Sequence, residues 1–461
     1  MRYLRWFAVL GTTVGLALLL AAPDRAVIAG RAPASEPAID TFEVFATSPV
    51  LVRAGERVEV PVDVVCATVE GTACPATAVL SVSDGAGGWR SFRTPARADL
   101  RFDLSAPVGR AVAGTGEGSV AFRVRAVTGA HAPISLTQQT GASPALRVYV
   151  TRDLPTVSLP SATGRIRTGR EVLFLPWGTG PHRAGLRPGN ESPTLGPSSF
   201  DVGRRGAIVL VDAMQSRLAR FVQGRLVRQV PLGSSVWADV TVGRDGTAVL
   251  ASRIAGATWR GEVREVSVRG SVRTLTAVLP GMPSEIVLSH GRPLVRVLPL
   301  DAWVPADRPA RSSGEPSVGR PLNRRSQLLV AGTDESVRVG IVRRGQVRRA
   351  VEILPGASRM RFGEVALAEP DGIGGFWVVV HVSVDGPTPT DHFRVVRVDA
   401  DLRVRTFATP AGGFAGSMVL SRFRMGPGSA LYQMRSEPDG LHVVRYGLRA
   451  RPGATPGGRE A

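Results

Sequence analysis

The stretch GPSSFDVGRRGAIVLVDAMQSRLARFVQGRLVRQVPL, residues 196–232, decides how this chain folds. It reads as four short apolar strands divided by turns at Gly203–Gly206, Asp212–Ser216 and Gln223-Gly224. Such a unit is too small to bury its own apolar faces. It returns in altered form up to about residue 449. Tandem four-strand units of this length are the sequence signature of a β-propeller, in which each unit is a blade packed on its neighbours.

Working outward, the first strand of each repeat lines up at Ser199–Val202, Asp239–Val242, Glu285–Leu288, Glu364–Leu367 and Ser417–Leu420. Third strands follow as SRLARFVQG, GEVREVSVRG, SVRVGIVRRG and HFRVVRVDAD, and fourth strands as RLVRQVPLG, SVRTLTAVLPG, QVRRAVEILPG and RVRTFATPAGG. Five repeats are countable. The third runs over 284–356 and carries an Arg/Pro/Ser-rich stretch at 305–325, which is either a surface insertion or the remnant of a sixth blade. The last repeat has LHVVRYGL at 441–448 and then a Gly/Pro tail, 450–461, expected to be disordered. REVLFLPWG at 170–178 is expected to supply the missing fourth strand and so join the two ends of a five- to six-bladed ring. Helix-period patterns are absent outside the leader.

Upstream, residues 41–150 alternate in short segments. Val58, Val60, Val62 and Val64 share one face, as do Leu100, Phe102 and Leu104, and Val120, Phe122 and Val124. Period-two alternation over this length, with Gly-rich turns, predicts an antiparallel β-sandwich of immunoglobulin or fibronectin type. Residues 151–169, rich in Pro, Thr, Ser and Gly, read as a linker to the repeat domain at 170–449. The fold class is all-β.

Residues 1–29 have the form of an export signal, with Arg2 and Arg5 ahead of the apolar run Phe7–Ala22 and small residues at Val27-Ile28-Ala29. That run is short of the about 20 residues a membrane span needs. The expected location is extracytoplasmic, with membrane contact only if the leader is retained. In an exported chain the lone pair Cys66 and Cys74 reads as a local disulfide.

The formal net charge is +19, and every basic residue is Arg. Asn stands only at 190 and 323, a bias that points to GC-rich coding of actinobacterial type. Residues 35–150 hold 10 Arg against 11 acids, while 151–461 hold 43 against 26, so the excess sits on the repeats. Arginine on outer blade strands guards exposed edges and attracts anionic polymers. No aromatic-plus-basic stacking motif marks a nucleic-acid partner.

Gly206, Asp212, Arg217, Leu218 and Phe221 of the first repeat match the pattern of the NHL-type propeller unit, which this repeat resembles, with Gln215 where that family usually has Asn. The resemblance implies that Asp212 and Arg217 tie a strand end to the next strand. Related propellers include lyases and lactonases with a metal at the channel mouth. The aligned strand starts Ser199, Asp239, Glu285, Glu364 and Ser417 are the matching ring here. Asp239, Glu285 and Glu364 would be ligands for a hard cation such as calcium or an acid–base pair. The alternative is that these groups hydrogen-bond to the neighbouring blade. The six histidines show no metal-ligand spacing, and no GxSxG, Walker loop or GxGxxG precedes a helix. The reading that follows is a monomeric, non-enzymatic envelope scaffold that binds a protein, peptide or anionic polymer. The second reading is a calcium-type hydrolase or lyase acting on a small molecule.

Overall fold

The computed structural model describes residues 39–448 apart from 47–49, 69–76, 84–87, 96–99, 114, 128–145, 162–165, 190–193, 234–235, 255–259, 277–278, 280–281, 299–301, 307–318, 324, 372, 386–389 and 412–421. The chain is nearly all β. One α-helix, Ser105–Ala111, interrupts the strands of the N-terminal part. Its seven residues span two turns, too few for a helical period to stand out from the surrounding alternation.

Two sheets form the N-terminal part. Ile39–Ala46, Glu59–Thr68 and Leu100–Asp103 make one. Val50–Arg53, Leu146–Thr151, Gly118–Val127, Thr77–Ser83 and Trp89–Pro95 make the other, in that spatial order. Val58, Val60, Leu100 and Phe102 from the first side meet Leu80, Val82, Val120, Phe122 and Val148 from the second in one buried cluster. Cys66 pairs in register with Phe42, but Cys74 lies outside the described residues, and no disulfide is present among those that are described. The leader and the tail likewise lie outside them.

Six further sheets follow. Sheet 1 holds Ser199–Val202, Ile208–Asp212, Arg217–Val222 and Arg225–Pro231. Sheet 2 holds Val236–Val242, Ala248–Ile254, Arg260–Val266 and Val272–Thr276. Sheet 3 has Met282–Ser289, Arg292–Leu298 and Ala302–Pro305. Sheet 4 runs Arg320–Asn323, Ser326–Gly332, Val337–Arg343, Gln346–Leu354 and then Thr156–Ser158. Sheet 5 is Met360–Pro370, Phe376–Val384, Thr390–Val398 and Val404–Pro410. Sheet 6 is Phe423–Gly426, Ala430–Glu437, Gly440–Gly447 and Arg170–Pro176.

The last of these joins the two ends of the repeat region, with Phe174 opposite His442 and Leu175 opposite Leu441. First strands touch from sheet 1 to 2, 2 to 3, 3 to 4, 5 to 6 and 6 back to 1, and sheet 4 meets sheet 5 through its second strand. Apolar clusters lie between sheets 1 and 2, 2 and 3, 4 and 5, 5 and 6, and 6 and 1. Trp237 and Val240 pack on Val209 and Val211, and Phe393 and Val395 on Phe423, Leu431 and Tyr446.

One open alternative narrows and one expectation needs correction. The third repeat, 284–356, is two sheets, because Arg320–Asn323 is the first strand of its own sheet. The linker 151–169 is partly a strand: Thr156–Ser158 runs parallel to Gln346–Leu354, with Ile353 opposite Val157. The same segment lies on a contact between the two halves. Leu51, Tyr149 and Leu154 are buried with Leu329, Val342 and Ala350 of sheet 4. Leu329, Val342 and Ala350 alternate with Leu328, Val339 and Val351, which pack with sheet 5, so the N-terminal part meets the opposite face of sheet 4. Gly340 makes the room: a Cβ there would stand 3.1 Å from Leu51 Cδ2.

The joining strand carries a titrating clasp. His442 Nδ1 lies 2.5 Å from Glu171 Oε2, and its Nε2 lies 3.0 Å from Asp439 Oδ1. Partial burial disfavours the imidazolium, but hydrogen bonds to Glu171 and Asp439 outweigh it and raise the pKa above the ordinary 6.5. A raised histidine pKa stabilises the fold fully below the unfolded value, and that increment is lost as pH rises through the folded value. His442→Gln should therefore lower the melting temperature at pH 5.5 and leave it unchanged at pH 9. Equal shifts at both values would assign the effect to packing on Phe174.

Candidate functional site

Each first strand carries a charged side chain toward the middle of the ring, and these residues bind one another and the next sheet. Asp201 accepts from Val202 N–H and from Val242 N–H of sheet 2, both at 2.7 Å. Asp239, fully buried, accepts from Ile286 N–H of sheet 3 at 2.9 Å and from the Ser199 hydroxyl of sheet 1. Arg424 of sheet 6 donates to Asp239 Oδ1 at 2.5 Å, to Phe200 O at 2.9 Å and to Val240 O at 3.1 Å. Arg320 of sheet 4 donates to Glu369 of sheet 5 at 2.6 Å and to Ala368 O at 2.9 Å. The pattern is consistent: a side chain on one blade's inner strand satisfies the backbone of the following one.

The electrostatics follow from burial. Burial works against the Arg424 charge, but Asp239, Asp201 and Glu285 outweigh it and hold the guanidinium above its ordinary pKa. Arg320 is raised in the same way, with Glu369 overcoming the cost of burial. Burial pushes the Asp201 and Glu285 carboxyls up, opposed by Arg424 at the first and by Arg320 and Arg296 at the second. Glu285 also lies 3.8 Å from Arg296.

Of the ring read from sequence, the structure brings Ser199 and Asp239 into direct contact and sets Glu285 close enough to Asp239 to feel its charge. Glu364 is exposed, and Ser417 lies outside the described residues. Among the described residues no group of three or more His, Cys, Asp or Glu side chains is placed to hold a metal ion. The donor set does not fit calcium: both Asp239 oxygens already accept hydrogen bonds, and one of them faces a guanidinium.

Sequence reasoning missed Asp201, Arg320, Glu369 and Arg424. Asp201 lay in a correctly placed strand, two residues past the position chosen for alignment. Arg320 lies in the stretch 305–325, read as either a surface insertion or the remnant of a sixth blade, and no inner strand was aligned there. Arg424 was missed because it lies in the strand Phe423–Gly426, beyond the stretch 417–420 chosen for alignment, which lies outside the described residues. Glu369 lies in an eleven-residue strand whose register shifts twice, between Phe362 and Val365 and between Val365 and Leu367.

The Asp212–Arg217 pair is structural. It is fully buried at 3.0 Å, and Arg217 also donates to Gly180 O at 2.9 Å, to Gln229 at 3.2 Å and to Arg183 O. Gln215 N–H and Gly185 N–H complete the Asp212 shell. Trp237, Trp303 and Trp377 are buried, and Trp177 donates to Glu437 O at 2.8 Å, so these four rings serve packing within the repeats.

No protein-family model matches the chain, and no curated protein matches it in sequence. Among solved structures, a streptogramin B lyase overlays with a TM-score of 0.32 at 11% identity, over 57% of this chain and 97% of that one. Virginiamycin B lyase from Staphylococcus aureus gives 0.31 at 10% identity, over 57% and 99%. A protein from Lactobacillus plantarum gives 0.32 at 12% identity, over 61% and 93%. Overlays this loose carry no argument about activity or substrate. The sheets themselves give the β-propeller character.

Proposed function

We propose that this chain is an exported binding scaffold: a β-sandwich fixed to the flank of a six-bladed β-propeller whose ring is joined by its own first strand. The observation that carries the non-enzymatic reading is how the central charges are used. Asp201 and Asp239 hold neighbouring backbones, and Arg424 and Arg320 face Asp239 and Glu369. Groups committed to clamping blades together are poorly placed to bind an ion or move a proton. Binding then belongs to the exposed surface of the region beyond residue 150, which in total holds 43 arginines against 26 acids, buried groups such as Arg217 and Asp239 included. An anionic polymer of the envelope is the partner this charge favours over a neutral peptide or protein.

The reading as a metal-dependent hydrolase or lyase keeps one support: buried carboxyls with raised pKa values, such as Asp201 and Glu285, are common in catalytic clefts. Calorimetric titration with calcium separates the two. The scaffold reading expects no saturable heat. Saturable binding that disappears in Asp239→Ala would overturn it.

A further inference from the structure

The geometry points to a binding track for a phosphodiester-linked anionic polymer at the junction of the sandwich and sheet 4, away from the central channel. It rests on the scaffold reading above and names where and what that scaffold binds. Four strands of the N-terminal sheet, Thr77–Ser83, Trp89–Pro95, Gly118–Val127 and Leu146–Thr151, contain five arginines and no Asp or Glu. Leu80, Val82, Val120, Phe122, Val148 and Val150 fill the inner face, so alternation turns Ser83, Ser119, Arg123 and Arg147 outward.

Register sets these groups in sequence. Trp89 lies opposite Ser83, Arg123 opposite Ser81, and Arg147 opposite Ala121. The Arg123 guanidinium stacks 4.3 Å from the centre of the exposed Trp89 ring, which holds its plane. Arg147 donates to Ser119 Oγ at 3.3 Å, which carries the charge toward sheet 4. There the hairpin Arg343-Arg344-Gly345 closes against the same serine: a Cβ on Gly345 would stand 3.6 Å from Ser119 Oγ. Arg343 and Arg344 are both exposed. The junction carboxylates Glu56 and Glu352 are both engaged by Arg338, at 2.6 and 2.7 Å.

The result is a row of guanidinia running from the outer edge of the sandwich to the sheet-4 hairpin. With Trp89 included, its sandwich part crosses three strand intervals, about 14 Å, from Trp89–Pro95 to Leu146–Thr151, and the guanidinia of Arg123 and Arg147 stand on its last two strands. Planar guanidinium forks match phosphate oxygens better than ammonium groups do. Exposed single contacts of this kind are weak, and they sum through counterion release only when the anion is a chain. That favours a polymer over a single phosphate.

The test is binding of the full chain to a labelled synthetic poly(glycerol phosphate) oligomer across 50–300 mM NaCl, with thermal melts confirming that each variant is folded. Arg123→Ser/Arg147→Ser/Arg343→Ser/Arg344→Ser should weaken binding roughly 100-fold at the lowest salt and flatten the salt slope by about 3. The hairpin pair Arg343→Ser/Arg344→Ser alone should remove about half of that slope, which keeps the test intact if the larger variant misfolds. A charge-matched control takes Arg204, Arg205, Arg225 and Arg269, on the ring away from this junction, to Ser and should bind like the parent. Loss in the control set with none in the junction set overturns this site but leaves the scaffold reading standing. Equal loss in both sets overturns it as diffuse charge. No binding by the parent overturns both the site and the polymer partner. Equally tight, equally Arg343/Arg344-dependent binding of single-stranded oligothymidylate would reassign the track to nucleic acid.

Discussion

Arg424→Ala should cost the fold about 3–5 kcal/mol, the range for removing one partner of a buried ion pair. The loss has three parts. Asp239, with none of its surface exposed, loses the guanidinium 2.5 Å away. Phe200 O and Val240 O lose their donor. Asp201 loses the cation that offsets its burial. The double variant Arg424→Leu/Asp239→Asn removes both charges and should recover much of the loss, since apolar or neutral replacements of buried pairs are often tolerated. Chemical denaturation of the parent, the single and the double variants measures this. A single variant within 1 kcal/mol of the parent would show that Arg424 does not clamp sheets 6, 1 and 2. A double variant no better than the single would place the effect in the backbone contacts alone.

That clamp explains what was legible in the sequence and what was not. Strands and turns were readable because each is a local matter: period-two alternation bounded by Gly-containing turns such as Gln223-Gly224, whose two residues both adopt positive φ. The joining strand at Arg170–Pro176 was readable because the last repeat stops one strand short. Convergence across six sheets depends on register, which local pattern does not set when strands carry bulges. Aligning on the first polar residue of each strand picked Ser199 and Glu364, whereas the inward charges are Asp201 and Glu369. In the third repeat, one long Arg/Pro/Ser-rich segment obscured the start of a separate sheet. The short parallel strand at Thr156–Ser158 has no signature at all, because three residues among Pro, Thr and Ser look like any linker.

The docking of the N-terminal sheet on sheet 4 was likewise invisible. Leu51 sits inside the continuous apolar run Val50-Leu51-Val52, and while Val52 joins the N-terminal core, Leu51 packs on sheet 4. Leu51→Asp should therefore uncouple the two halves while leaving each core intact. Truncating a buried Leu costs about 2–5 kcal/mol, and a carboxylate against Val342, Leu329 and Ala350 adds its own desolvation. Across the interface Arg338 donates to Leu51 O at 2.8 Å and bridges Glu56 and Glu352, and neither contact supplies a partner for a new carboxylate at 51. Calorimetry of the parent should show one coupled transition. The variant should show the sandwich melting first, with the later transition close to that of the parent. Protease cleavage should concentrate around residues 151–169 once the contact opens. Because the guanidinium row crosses this junction, Leu51→Asp should also break the row between Arg147 and the Arg343-Arg344 hairpin, weakening polymer binding without removing any arginine. A variant that melts in one step at the parental temperature would mean that the sandwich is held by the strand pairing of Thr156–Ser158 alone.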